Sequence, residues 1–592
     1  MVAGWVALMT ALIYLCALFA VAHFGENRGR QIMAGTARPL IYALALGVYC
    51  TSWTFFGSVG LASWRGFDFL PIYIGPILVF ALGYPLITRI VKLAKAQNIT
   101  SVADFIAARY GKSEQVAALV AIICVIGAVP YIALQLKAIS HSIATILDSF
   151  ESGRSLVNSA SANTVAIGVA VVLAGFAMAF GTRKIDATEH NDGMMMAISA
   201  ESIVKLVAFI AVGSYVTWVM FGGVRDLAWQ VMTNDNVRNI VFTPPEPATW
   251  ITNALLAACA ILLLPRQFHV TVVENREERD VKTAAWLFPL YLVAINIFVI
   301  PLAMAGKLIF LDGEIDRDMT VLALPLDDNA PIMALVAMLG GLSAATAMVI
   351  VESVALSIMV SNDLAMPLLL RGPAQRLMQK RGTGSIVLII RRAAIVLILA
   401  LGYSYFLNSS EAALSAIGLL SFAAIAQIAP AFLFGLFWQR ANGRGAKAGL
   451  IVGSFVWAYT LLLPSLASAS TSLSAVVAFG PFGLEWLRPT AMFGLELPGL
   501  VHGVFLSILA NIACLIGFSL TRPSTSIENL QAEVFVGPSV VPTGETFRLW
   551  RSTVTVGELE TTVARYLGTE PARRAFEAFH AARGEKPRDR LR

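Results

Sequence analysis

Long apolar runs alternating with short polar loops set the pattern of this chain. A span needs about 20 apolar residues, at about 1.5 Å rise each, to cross a hydrocarbon core of roughly 30 Å. That length rule predicts about thirteen spans, at residues 3–23, 38–60, 68–91, 115–145, 163–181, 193–221, 249–264, 284–307, 330–361, 390–408, 411–438, 446–465 and 497–520. The first run has no basic segment ahead of it and no small-residue cleavage pattern behind it, so it reads as a retained helix. Lys and Arg are biased between alternate loops, about 23 on one side against about 8 on the other, which predicts an outside N-terminus and a cytoplasmic C-terminus. Arg266, Arg276 and Arg391 are counted among these loop cations. An odd number of spans satisfies that topology.

Composition supports the same class. Of the 592 residues, 57% are hydrophobic and only 14% charged, and the mean hydropathy is +0.73. A soluble domain carries roughly a quarter charged residues, so this is an all-α integral membrane protein. The net charge of +6 follows from the basic loops, and no nucleic-acid partner is implied. Cys16, Cys50, Cys124, Cys259 and Cys514 lie in apolar runs without paired spacing, which argues against a disulfide framework or a zinc site.

Some polar residues within the apolar runs carry candidate chemistry. The run from Met338 to Asp363 has a face of Gly340, Gly341, Ser343, Ala344 and Ala347, with Glu352 further on. Small residues let helix backbones approach closely in lipid, while the hydroxyls of Ser343 and Thr346 and the Glu352 carboxylate must face protein, water or an ion. This run is expected at the packed centre of the protein, on an ion or solute path. Glu201 and Lys205 are four apart and share a helix face. They are either a proton relay or a neutralised structural pair. Glu352 has no sequence-local partner.

Six stretches carry a family resemblance. They are QNITSVADFIAARYGKS (Gln97 to Ser113), VPYIALQLKAIS (Val129 to Ser140), DATEHNDGMMMAISAESIVKL (Asp186 to Leu206), LPRQFHVTVVEN (Leu264 to Asn275), GGLSAATAMVIVES (Gly340 to Ser353) and PAFLFGLFWQRANGRGAKAGLIVG (Pro430 to Gly453). In this order residues 1–520 resemble the sodium:solute symporter family, most of all the transporter modules at the front of CbrA-type bacterial sensor histidine kinases. The resemblance implies a LeuT-like fold of two inverted five-helix repeats, spans two to six and seven to eleven, in a bacterial inner membrane. It places the site where broken helices expose backbone near the midplane. Gly57 and Gly60 offer a place for the second span to unwind, or else serve only helix packing.

The same resemblance implies sodium ligands at the carbonyls of Gly47 and Cys50 and at a hydroxyl pair matched to Thr346 and Ala347, with Ser343 one turn earlier. Ala347 has no side-chain oxygen, and Tyr49 stands where an acid is usual. Sodium and proton coupling therefore both stay open, the proton candidates being Glu189, Glu201, Lys205 and Glu352. Trp53, Thr54 and Gly57 on the second span and Tyr131 and Gln135 on the fourth are the expected solute contacts, aromatics with a few placed polar groups being the usual lining of such sites. Apart from Na+ or H+ as coupling ion, no cofactor or metal is expected.

Residues 521–550 are rich in Pro, Ser and Thr and read as a linker. Residues 551–592 predict short cytoplasmic helices, which resemble the start of the STAC element that joins such modules to a kinase. The chain shows neither a phosphoacceptor histidine box nor a nucleotide-binding glycine loop, so no enzymatic activity is expected. Two functions fit. One is a symporter of a small polar solute, such as an amino acid or a carboxylate, working by alternating access. The other is a solute-sensing input module, with little or no transport, that signals to a kinase partner through the tail.

Overall fold

Each apolar run is helical in the computed structural model, which describes residues 4–148, 159–181, 191–310, 315–371, 383–408, 413–467 and 471–537, together with Arg573, Phe576 and Glu577. Among the described residues there is no strand. Helix α1 is Gly4–Ala34. The next run is bent: α2, Arg38–Ala45, extends through a 3-10 turn to Tyr49, and the chain resumes at Trp53 into α3, Ser58–Arg65. After it come α4 (Pro71–Ala81), α5 (Tyr84–Gln97), the connecting helix α6 (Val102–Arg109), α7 (Glu114–Asp148), α8 (Ser159–Gly181) and α9 (Asp192–Tyr215). A second bent run pairs α10, Pro247–Leu263, with α11, Pro265–Phe268. Then follow α12 (Arg279–Asn296), α13 (Val299–Ile309), α14 (Pro331–Met359), α15 (Thr383–Asn408), α16 (Leu414–Ala426), α17 (Ala429–Phe437), α18 (Gly443–Trp457), α19 (Gly499–Thr521) and α20 (Ser526–Val536).

Among the described residues, nine helices are long and apolar enough to cross a membrane, or up to twelve if each bent pair counts as one span. The other expected run, 163–181, lies on α8, whose described apolar part, Ala166–Ala179, is shorter. The chain axis turns by 65° between Arg38–Tyr49 and Trp53–Phe69, and by 51° between Pro247–Leu263 and Pro265–Val273. These two runs are the first helices of the two expected five-helix repeats.

The unwinding expected near Gly57 and Gly60 occurs instead at Cys50–Ser52. Cys50 is extended (φ −78°, ψ 96°), while Gly57 and Gly60 are helical. These two glycines serve close packing. A Cβ on Gly57 would sit 3.3 Å from Leu414 Cβ, and one on Gly60 would sit 2.1 Å from Asp318 Oδ1. The second break has a local cause: Pro265 drives the preceding residue out of the helical region, and Leu264 accordingly has ψ 133°.

Span Pro331–Leu369 is central, with 83% of its apolar window buried against 17% for Trp5–Gly29. It packs against α9 and α7. Its small residues admit aromatic rings from the segment after the first break, so that a Cβ on Gly340 would meet Phe55 at 2.4 Å and one on Gly341 would meet Phe56 at 2.2 Å. In the tail, α20 falls within the stretch read as a linker. Residues 537–592 form a separate unit. Positions 538–550 and all but three residues of the predicted tail helices lie outside the described residues.

Overpacking a close-packed core costs roughly 1–3 kcal/mol. Gly341→Val is therefore expected to lower the unfolding temperature in detergent, while Ala337→Gly, on the same helix, relieves no clash. An unchanged midpoint for Gly341→Val would contradict the ring-on-glycine contact.

Candidate functional site

Backbone groups freed by a helix break inside a membrane need partners from elsewhere in the protein. At Cys50–Ser52 the partners come from two other helices. Lys205 Nζ, on α9, donates to the Gly47 carbonyl at 2.8 Å and to the Cys50 carbonyl at 2.7 Å. Gln135 Oε1, on α7, accepts from Ser52 N at 3.2 Å and from Ser52 Oγ at 2.7 Å. One turn back on α7, the Tyr131 hydroxyl lies 3.0 Å from Thr51 Oγ1, which also accepts from Trp53 N at 3.3 Å. Helix α9 comes this close because residue 47 is glycine: a Cβ there would lie 2.6 Å from Ser202 Oγ.

The face of α9 that carries Lys205 also carries Glu201, but the two acquire different partners. Thr346 Oγ1 donates to Glu201 Oε1 at 2.6 Å, and Ser343 Oγ donates to the Glu201 carbonyl at 2.9 Å. Glu201 and Lys205 are both fully buried. Six of the expected ion-site and coupling residues thus fall into two hydrogen-bonded sets one turn apart on α9: Lys205 with Gly47 and Cys50, and Glu201 with Ser343 and Thr346. Ala347 is buried, lining a small void beside Glu201. These residues do not fit a sodium ion. The two carbonyls expected to ligate it are held by an ammonium, whose charge repels a second cation at the same oxygens, and position 347 supplies no oxygen.

The second break brings in a residue expected among the loop cations. Arg266, the first residue after Pro265, is completely buried. Its Nη1 donates to Glu352 Oε2 on α14 at 3.1 Å, so Glu352, which has no sequence-local partner, has one from a distant part of the chain. The Arg266 guanidinium carbon lies 4.4 Å from the Tyr131 ring centroid, a cation–π distance. Phe422 stacks on Tyr131 with centroids 5.6 Å apart. Arg391, also counted as a loop cation, is buried too. Of the other expected solute contacts, Trp53 and Thr54 are buried, and a Cβ on Gly57 would touch the Trp53 ring at 3.4 Å. Glu189 lies outside the described residues. No local signal marks Arg266, because in Leu264-Pro-Arg-Gln267 a proline and a charge follow an apolar run as they do where a span ends.

Carboxylates tie segments together at one end of the bundle. Asp318 Oδ2 accepts from Leu414 N at 2.9 Å, joining the loop before α14 to the start of α16, and Asp316 lies 3.5 Å from His141 Nδ1 on α7. Burial, and then the adjacent Asp316 carboxylate, push the Asp318 carboxyl from 3.8 up to about 6, with Lys137 and His141 opposing. Burial also acts upward on Asp316, yet its hydrogen bonds from His141 and the Asp318 N–H bring it below its ordinary value. The opposite end holds a cavity of about 160 Å³ lined by Asp104, Lys112 and Asp363, and another of about 240 Å³ lined by Lys95, Asn98, Asn275 and Arg276.

No family model matches the chain. It is similar to YhjB of Bacillus subtilis (strain 168), an uncharacterised symporter, being 24% identical over 455 residues that make up 74% of this chain and 86% of that one. Among solved structures, a Na+-coupled sialic acid symporter in a substrate-bound outward-open state matches 88% of this chain and 98% of its own, with a TM-score of 0.59 at 15% identity. A manganese transporter of Eremococcus coleocola matches 81% of this chain and 95% of its own, with a TM-score of 0.43 at 13% identity. The architecture is that of the first of these structures, an all-helical LeuT-like fold in a multi-pass membrane protein.

The end that holds Asp318 should respond to pH. A carboxyl whose value is raised on burial favours the folded protein when protonated, so its contribution is complete below about pH 4 and is lost as pH rises through about 6. A shift of this size corresponds to on the order of 2–3 kcal/mol. Asp318→Asn keeps an acceptor for Leu414 N and removes the charge. It is expected to flatten the dependence of thermal stability on pH between 4 and 7. An identical slope in both proteins would remove Asp318 as its source.

Proposed function

We propose that this protein is a secondary transporter of a small polar solute, working by alternating access and coupled to protons in place of sodium. The observation that carries the coupling is the Lys205 ammonium at the Gly47 and Cys50 carbonyls. Loss of its proton leaves one amine to hold two buried acceptors at the break with only two N–H bonds and no charge. Protonation of Lys205 therefore sets how firmly α9 grips the first bent helix. Glu201, one turn away and bonded to α14 through Thr346, is the group that exchanges a proton with it or with water. The similarity to a protein named as a symporter and the shared fold support the transport reading.

The bias of Lys and Arg between loops orients the N-terminus outside and the C-terminus in the cytoplasm of a bacterial inner membrane. In that frame the two cavities lie on the cytoplasmic side and the Asp318 contact on the outer side. Gln135, Tyr131, Thr51 and Trp53 then lie along the solute path between the breaks.

A sensing role is the second reading, favoured by the docking of α20 on the transport helices. Phe535 packs its ring 5.3 Å from Phe105 on α6, Glu528 Oε1 accepts from Gly443 N at 2.7 Å, and the Phe535 carbonyl accepts from Arg89. Movement of α6 would thereby reach the tail and a signalling partner beyond it.

In proteoliposomes tested with labelled amino acids and short carboxylates, a pH gradient without Na+ is expected to drive accumulation. Lys205→Met and Glu201→Gln should each reduce it by about a hundredfold or more, the usual scale for losing one positioned proton-transfer group. Accumulation driven only by a Na+ gradient would overturn the coupling. Saturable binding without accumulation under either gradient would select the sensing role.

A further inference from the structure

Arg266 and Glu352 use only part of their hydrogen-bonding capacity on each other. Arginine and carboxylate pairs commonly meet through two parallel side-chain bonds, yet here the side chains share one contact, Nη1 to Oε2 at 3.1 Å, beside the Arg266 backbone N–H that also faces the carboxylate. Among the described residues, Arg266 Nε and Nη2 and Glu352 Oε1 have no protein partner, although both side chains are wholly buried. Buried polar groups in folded proteins find a partner in protein, water or ligand. Two donors of a planar fork and one carboxylate oxygen are thus left on a neutral pair. The pair sits at the second helix break and against Tyr131, whose hydroxyl reaches Thr51 at the first.

We infer that Arg266 and Glu352 form a two-point receptor for a zwitterionic solute, its carboxylate on Arg266 Nε and Nη2 and its ammonium on Glu352 Oε1. This inference rests on the transporter reading for its purpose but not for its test. The guanidinium fork matches a carboxylate in plane, and the Tyr131 ring covers one face of it, leaving the edge for a ligand. Charge selects between ligand classes. The pair is neutral, so a bare carboxylate would bury a net negative charge and a bare amine a net positive one, and either is costly away from water. A molecule carrying both groups adds none. The chemical class is that of a small amino acid, and the side chain would extend toward the aromatic surface of Trp53, Tyr131 and Phe422.

The pair also explains itself as a structural bridge, so the test separates the two roles. Each of the twenty common L-amino acids, acetate, methylammonium and glucose is added singly to the purified full chain in detergent, and thermal stabilisation and saturable binding are measured. At least one amino acid is expected to stabilise the protein, with acetate and methylammonium much weaker. Arg266→Met and Glu352→Gln should each weaken that binding on the order of 30-fold, the scale of breaking one partner of a buried charged contact.

The double variant Arg266→Met with Glu352→Met replaces the whole pair by apolar groups, a change that folded proteins commonly tolerate. It is expected to unfold at a temperature near that of the unmodified protein and to bind no amino acid. Amino-acid binding retained in a folded double variant would overturn the receptor, as would the absence of stabilisation by all twenty amino acids. Equal binding of acetate would overturn the role of Glu352. Because binding is read without a membrane, an amino acid that binds but is never accumulated would defeat the transport reading and leave the receptor standing. Accumulation of glucose unaffected by Arg266→Met would do the reverse.

Discussion

An ammonium held by two carbonyls at a broken helix is the interaction on which the centre of this protein depends. In the hydrocarbon layer a helix cannot open without giving its freed backbone groups new partners. Lys205 supplies them for Gly47 and Cys50, and Gln135 supplies one for Ser52. The consequences spread outward. Lys205 reaches the carbonyls only because Gly47 lets α9 lie against the bent helix, and α9 in turn is fastened to α14 through Thr346 and Ser343. Two long helices and one break are in this way a single hydrogen-bonded object.

The two breaks occupy corresponding places in the two repeats but are made by different chemistry. At Leu264 the cause is covalent and local, the residue before a proline being steered toward extended geometry whatever surrounds it. At Cys50 no proline or glycine forces the change. Its extended conformation persists because α7 and α9 satisfy the groups that it frees. The first break is therefore conditional on its neighbours, whereas the second is built into the chain. If one of the two yields when the bundle rearranges, it is the first.

This difference also explains what could be read in the sequence. The helical class and nearly all span positions follow from run length, since apolar length is a property of each segment alone. The family resemblance points to the carbonyls of Gly47 and Cys50 and to a pair at Thr346 and Ala347 with Ser343 one turn earlier; in the structure the two carbonyls bond Lys205, while Ser343 and Thr346 bond Glu201. The break itself was assigned to Gly57 and Gly60, because glycine is the local signal for unwinding. Those glycines are instead consumed by Leu414 and Asp318. Arg266 was read as a loop cation because a charge after a proline commonly ends a span. Its burial depends on Glu352, 86 positions further along the chain, and no window on the sequence contains both.

The buried charges share one further trait. Glu201 and Lys205 are neighbours on one helix face and could have neutralised each other at little cost in order. Each instead bonds to a different helix: Lys205 to the first bent run, Glu201 to α14. Arg266 likewise bonds from the second bent run to α14 through Glu352. A charge paired within its own helix stabilises that helix and is indifferent to how the helix is placed. A charge satisfied only across an interface ties its partner's position to its protonation state, because a buried ionic group left without its partner costs several kcal/mol, roughly 3–5. Helix α14 receives two such contacts and carries small residues that let aromatic rings from beyond the first break press against it. It is thus the element on which contacts from both bent helices converge.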